Sequence, residues 1–104
     1  MKAIIHGVRY DTEKATLIGS YSYSSSGDFN HWEATLYKTP RSNKYFLAGS
    51  GGPMSRYSQT IGQNEWSGGE RIDPLTKEQA FEWAQQYLAA EEVEEHFADM
   101  IEDA

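Results

Sequence analysis

Between Arg71 and Leu88 the chain runs RIDPLTKEQAFEWAQQYL, and no other stretch restricts the fold as much, because a helix has to begin inside it. Pro74 has no amide hydrogen to give a sheet ladder and drives Asp73 toward extended backbone, so an incoming strand is expected to stop there. Thr76 then suits the N-cap: its hydroxyl can accept the free N–H of Gln79 while the Gln79 side chain reaches back to the Thr76 amide. Beyond the cap, Ala80, Phe81, Ala84, Tyr87 and Leu88 recur at three- and four-residue spacing, one apolar stripe along a helix that Trp83 widens. A second run, Val93, Phe97, Met100, Ile101 and Ala104, keeps the helical period but begins five residues after Leu88, rotated by about 140° from the first. Two helices with a break near Ala89 to Glu92 follow from this, with one bent helix as the alternative, since no Gly or Pro marks the break.

The segment before Arg71 has the punctuation of short strands. Ala3-Ile4-Ile5 and Val8-Arg9-Tyr10 flank His6-Gly7, a connection that suits a two-residue hairpin turn. Asp11-Thr12 is a turn held by a side-chain oxygen, Ala15 to Tyr23 a strand, and Ser24-Ser25-Ser26-Gly27-Asp28 an exposed loop. Trp32, Ala34 and Leu36 share one face and Glu33, Thr35 and Tyr37 the other, the period of a strand with one side buried. A turn over Thr39 to Asn43 returns the chain through Tyr45 to Ala48. Gly49-Ser50-Gly51-Gly52-Pro53 is expected to end that strand, with Pro53 opening a short helix through Met54, Arg56 and Tyr57. Gln59 to Ser67 carries no clear signal, and Glu70 to Ile72 is a last short strand. The expected fold is therefore α+β: an antiparallel meander of four to five short strands followed by two C-terminal helices packed on one face, residues 1–104 forming a single domain with a β-rich body over 1–72 and a helical tail over 73–104.

Charge divides the chain at the same place. Residues 73–104 hold ten acids against the single base Lys77, whereas residues 1–72 hold eight Lys and Arg against six acids. A near-neutral body thus carries an acidic cap, and such asymmetry points to an interaction surface, or more simply to a solubilising helix face. The chain has no cysteine, which excludes disulfides, thiolate chemistry and cysteine-ligated zinc and fits a reducing cytoplasm. No apolar run is long enough for a membrane span or a signal peptide, so a soluble cytoplasmic protein is expected.

The segments IIHGVRYDTEKA, EATLYKT, YFLAGSGGPMSRY and GGERIDPLTKEQAFEWA together resemble a family of small uncharacterised bacterial proteins carried by phages and other mobile elements. The resemblance covers most of the chain, and GGPMS and PLTKEQA are its most specific parts. The family has no assigned activity, so no functional residue carries over. This chain departs from it at His6, where Asp-Gly is more usual, and at Ala89-Ala90, where a cap is expected. The implied context is a mobile element, on which small acidic proteins often inhibit host defence systems, anti-CRISPR proteins among them.

Few residues suggest chemistry. Gly49 to Pro53 lacks a glycine at position 54 for a dinucleotide fingerprint and lacks a Gly-Lys-Ser/Thr phosphate loop, leaving at most an anion nest of Gly51, Gly52 and Arg56 beside the plainer reading of a tight chain reversal. His96 has Glu92 and Asp99 about one helical turn to either side, an arrangement that favours charge pairing over a metal site. No serine sits in a nucleophile elbow. No enzyme, cofactor or metal is expected. The leading reading is a protein-binding inhibitor whose acidic helical face, Glu78, Glu82, Glu91, Glu92, Glu94, Glu95, Asp99 and Glu102, docks on a basic surface of a host protein or complex and stands in for nucleic-acid phosphates. The alternative is a DNA- or RNA-binding regulator using a sheet face built from Tyr21, Tyr23, Trp32, Tyr37, Tyr45, Tyr57 and Trp66 with Arg9, Lys38, Arg41, Lys44 and Arg56. A third is a homodimer packing Val93, Phe97 and Ile101 across a twofold axis.

Overall fold

The computed structural model describes residues 1–25, 27–62 and 65–104, with backbone alone for 60–62 and 65–67. Ser26 of the expected loop and the Trp66 ring of the expected sheet face therefore lie outside the described residues. Strands β1 (Lys2–Ile5) and β2 (Val8–Asp11) form a hairpin in which His6 and Gly7 both take positive φ, 50° and 77°. That is the turn whose twist matches paired strands. Strands β3 (Thr16–Tyr23), β4 (Trp32–Lys38), β5 (Tyr45–Gly51) and β8 (Gly69–Leu75) make the central antiparallel sheet in the order β3-β4-β5-β8. The first three are the expected meander, with a register shift between Leu17 and Gly19. Between β5 and β8 the chain makes a second hairpin, β6 (Gln59–Gly62) with β7 (Glu65–Ser67), in the region that carries no clear sequence signal. Helices α1 (Lys77–Tyr87) and α2 (Ala90–Phe97) follow, and one 3₁₀ turn, Ala98–Met100, closes the ordered elements.

The sheet is covered on both faces, from two sources. On one face Ile18, Trp32, Ala34, Leu36, Tyr45 and Leu47 pack against Ala80, Trp83 and Ala84 of α1 and Val93 and Phe97 of α2. On the other, Phe46 and Ile72 pack against Tyr10 of the β1–β2 hairpin, with Tyr37 stacked on Phe46 at 5.2 Å between centroids. The alternation of β4 explains the split: Trp32, Ala34 and Leu36 point to the helices and Glu33, Thr35 and Tyr37 away, so one strand serves two cores.

Three expectations are corrected. The strand β8 does not stop before Pro74 but runs through it to Leu75, pairing Pro74 with Phe46. Being outermost in the sheet, β8 tolerates a residue without an amide hydrogen. Strand β5 does not end at Gly49 but continues to Gly51, and Pro53 opens turns rather than a helix. The glycine at 49 answers to packing, not to strand ending: a Cβ there would meet the Tyr57 ring at 2.1 Å, so the ring lies flat on bare backbone. The last apolar run is not one helix through Ala104: α2 ends at Phe97, whose fully buried ring sits against Tyr45 and Phe81, and only the 3₁₀ turn follows.

The junction into the helices forms as the sequence requires. Thr76 Oγ1 accepts the Gln79 amide at 3.1 Å and Gln79 Oε1 accepts the Thr76 amide at 2.9 Å, a cap worth about 1 kcal/mol. Leu88 and Ala89 are extended and separate the two helices. Ala89 cannot offer a capping side chain, and Glu92 Oε1 supplies half a box by accepting the Ala89 amide at 3.2 Å.

Candidate functional site

Helix α1 turns Ala80, Trp83 and Ala84 to the sheet, which sets Glu78 and Glu82, one turn apart, on its solvent side. Helix α2 turns Val93 and Phe97 inward, so Glu91 and Glu95 lie on its outer side and Glu94 on its flank toward α1. Glu102 follows in the extended tail. These six carboxylates are exposed, and among the described residues none is paired with Lys or Arg. Two members of the expected acidic face have partners within the chain. The half-buried Glu92 caps α2 and lies against Gly19 of β3. Asp99 accepts a short hydrogen bond from Lys77, the one base of the helical tail; the ammonium holds the Asp99 carboxyl below its ordinary 3.8, and the carboxylate raises the Lys77 ammonium in return.

Beside these carboxylates the two helices and the tail leave an open groove of about 610 Å³. Its walls are Phe81, Leu88, Val93, Met100 and Ile101, with Ile101 two-fifths exposed, and Glu94 and Glu102 stand at its rim. From the sequence these side chains belong to core stripes. The clue to the groove is the rotation between the two stripes, which obliges α2 to turn away from α1 and leaves a flank of each uncovered.

Across the helix-covered face, toward β8, the cations behave differently. The Arg56 guanidinium lies 4.1 Å over the Trp32 ring and approaches the Tyr87 hydroxyl at 3.4 Å. Arg71 lies 5.0 Å over Tyr57 and its Nε donates to both carboxylate oxygens of Asp73, at 2.8 and 3.0 Å. Tyr21, Trp32, Tyr87 and Trp83 continue the ring cluster at 4.8 to 5.6 Å between centroids. Burial raises the Tyr57 hydroxyl above its ordinary value, with the Asp73 carboxylate adding to it. The hydrogen bond from Arg56 to the Tyr87 hydroxyl joins residues 31 positions apart, and no local spacing announces it or the ring–guanidinium contacts.

Several groups around the suggested anion nest of Gly51, Gly52 and Arg56 have partners within the fold. The Gly52 amide donates to the His31 carbonyl at 2.8 Å, the Met54 amide to Phe29 at 2.9 Å and the Ser55 amide to Gly52 at 3.1 Å, while Arg56 is committed to Trp32. The aromatic sheet face is also divided. Trp32, Tyr45 and Tyr57 are buried in the helix-side core and Tyr37 lies on the opposite face. His96 faces Glu95 at 3.8 Å rather than Glu92 or Asp99, and no group of three possible ligands that could hold a metal ion occurs among the described residues. No helix of the described chain is long and apolar enough to cross a membrane. Comparison with known protein families, curated proteins and solved structures finds no match.

Proposed function

We propose that this chain is a non-enzymatic binding module whose acidic helical layer docks on a basic, nucleic-acid-binding surface of another protein and keeps nucleic acid from it. One observation carries the reading: Glu78, Glu82, Glu91, Glu94, Glu95 and Glu102 stand exposed over two helices and a tail with no lysine or arginine paired to them among the described residues, and the one Lys of that segment is taken by Asp99. Carboxylates held on rigid helices present a fixed negative field that steers a positive groove toward them and rejects nucleic acid. On the resemblance to phage-borne proteins, the basic surface would belong to a host defence nuclease or surveillance complex. The DNA- or RNA-binding alternative has less to stand on, since Trp32, Tyr45 and Tyr57 are buried and two of its cations lie over rings of the fold, Arg56 over Trp32 and Lys38 5.7 Å over Tyr45.

The test is a titration of the protein into labelled oligoarginine and, separately, into labelled single- and double-stranded DNA. Oligoarginine is expected to bind, with affinity falling steeply as salt rises, and the change of Glu91, Glu94, Glu95 and Glu102 to Lys should abolish it. DNA is expected to give no signal. A DNA signal that disappears when Arg41 and Arg56 are reversed in charge would establish the alternative instead.

A further inference from the structure

The carboxylates account for attraction to a positive surface, but they leave the groove between α1, α2 and the tail unexplained. Phe81, Leu88, Met100 and Ile101 line it with partly exposed apolar side chains above the buried Val93, and burying such surface is worth roughly 25 cal/mol per Å². We propose that this groove takes a basic amphipathic α-helix of the partner protein, its aliphatic or aromatic side chains seated against Leu88, Met100 and Ile101 and its lysines or arginines meeting Glu94 and Glu102. The proposal rests on the acidic-docking reading above and names the class of segment that docks.

Charge and backbone chemistry choose that occupant. The rim is acidic and the whole chain carries a net charge of −7, so a second copy would bring two like-charged rims together, whereas a basic segment is attracted. An extended peptide that docks by strand addition needs a free sheet edge, and no strand lines this groove: its walls are α1 and α2, whose backbone bonds run within the helices, and the short tail. A helix arrives with its amides already paired and presents anchors at i, i+3 or i+4, and i+7 to a channel of this kind.

Two labelled peptides of identical composition decide the matter: one helix-forming, with leucines at i, i+4 and i+7 among arginines and alanines, and one with the leucines scattered around the helix. Binding is followed by anisotropy, and methyl chemical shifts of Leu88, Val93, Met100 and Ile101 report the place. The amphipathic peptide is expected to bind about tenfold tighter than the scattered one, the change expected from losing one well-buried aliphatic contact. Its shifts should fall on those four methyl-bearing residues. Ile101→Glu should remove the tenfold advantage although it adds negative charge, and Ile101→Leu should keep it. Ile101 is exposed and outside both helices, and near-ultraviolet circular dichroism checks that the fold is kept. Equal binding of the two peptides, still abolished by reversing the four acids, would overturn the groove and leave electrostatic docking standing. Binding of neither would overturn both. A wild-type dimer in sedimentation that Ile101→Glu dissociates would overturn the proposal in favour of a second copy as the occupant.

Discussion

Two regions on the helix-covered side of the sheet place charge over apolar surface, and they use it in opposite ways. Toward β8, Arg56 and Arg71 lie on Trp32 and Tyr57 and are held there by the Tyr87 hydroxyl and the Asp73 carboxylate. Toward the chain end, Glu94 and Glu102 stand beside the walls of a groove and, among the described residues, pair with no Lys or Arg. In the first region the cations complete the core, covering rings whose edges would otherwise meet water. In the second, apolar walls and charge are both left for something else to cover. The difference lies in commitment: Arg56 and Arg71 are engaged by rings and polar partners of the fold, whereas Glu94 and Glu102 are engaged by no Lys or Arg among the described residues.

The largest effect should come from breaking the first region at its centre. Trp32 is buried beneath Arg56 and touches Tyr21, Tyr23, Tyr57 and Tyr87. Trp32→Ala removes the ring that the others share and should cost about 3–5 kcal/mol in chemical denaturation. Truncation of Ile101 in the groove should cost far less, since two-fifths of that side chain is already exposed. A loss under about 1 kcal/mol would mean that the ring cluster is loosely packed and that its arginines are as available to a partner as the carboxylates.

How much of this could be read from the chain depended on distance along it. The Thr76–Gln79 box, the alternation of Trp32, Ala34 and Leu36 and the His6–Gly7 turn rest on neighbours within four residues, and each forms as expected. What escaped depends on partners far away. Gly49 and Gly51 look like a strand ending, yet the strand continues because the Tyr57 ring needs the space above Gly49. Pro74 looks like a stop, yet its position on the outermost strand makes it harmless, and strand order is not a local property. The acidic face was legible as composition, but the tertiary contacts that spend Glu92 and Asp99 and expose the other six were not. The groove needed the angle between two helices whose phase difference was visible and whose packing was not.

A medium effect separates the regions by charge removal alone. Arg56→Met keeps most of the aliphatic stem over Trp32 but loses the cation–π contact and the bond to Tyr87, and should cost roughly 0.5–1 kcal/mol. Glu94→Gln together with Glu95→Gln should leave stability within about 0.5 kcal/mol, because neither side chain is committed to Lys or Arg and like charges on one helix repel slightly. Thermal or denaturant midpoints of the two variants measure the contrast. Equal losses would show that the carboxylates, too, are part of the fold.

The smallest expected effect sets one carboxylate near the ring cluster against one at the acidic end, and it lies in how each keeps its charge. Asp28 is held below the ordinary 3.8 chiefly by the Asn30 amide and then by the Ser24 hydroxyl, both neutral donors. Asp99 is held below it by the Lys77 ammonium. In both the folded state favours the ionised form, so each contributes stability above about pH 4 that is lost as pH falls through the lowered value. Salt should tell them apart: at about 1 M the screening length falls to about 3 Å, which weakens an exposed ammonium–carboxylate pair far more than a bond from an amide. Carboxyl chemical shifts titrated at low and high salt should therefore show Asp99 relaxing toward its ordinary value and Asp28 staying depressed. Protection of the Met100 and Ile101 amides, taken relative to the intrinsic exchange rate at each pH, should fall in acid and, at neutral pH, in Asp99→Asn, because Lys77–Asp99 is the ion pair that ties the final turn to the start of α1. If the two aspartates respond alike to salt, the tail is held by its amide and ring contacts, and the one base of the acidic layer is as free as the acids around it.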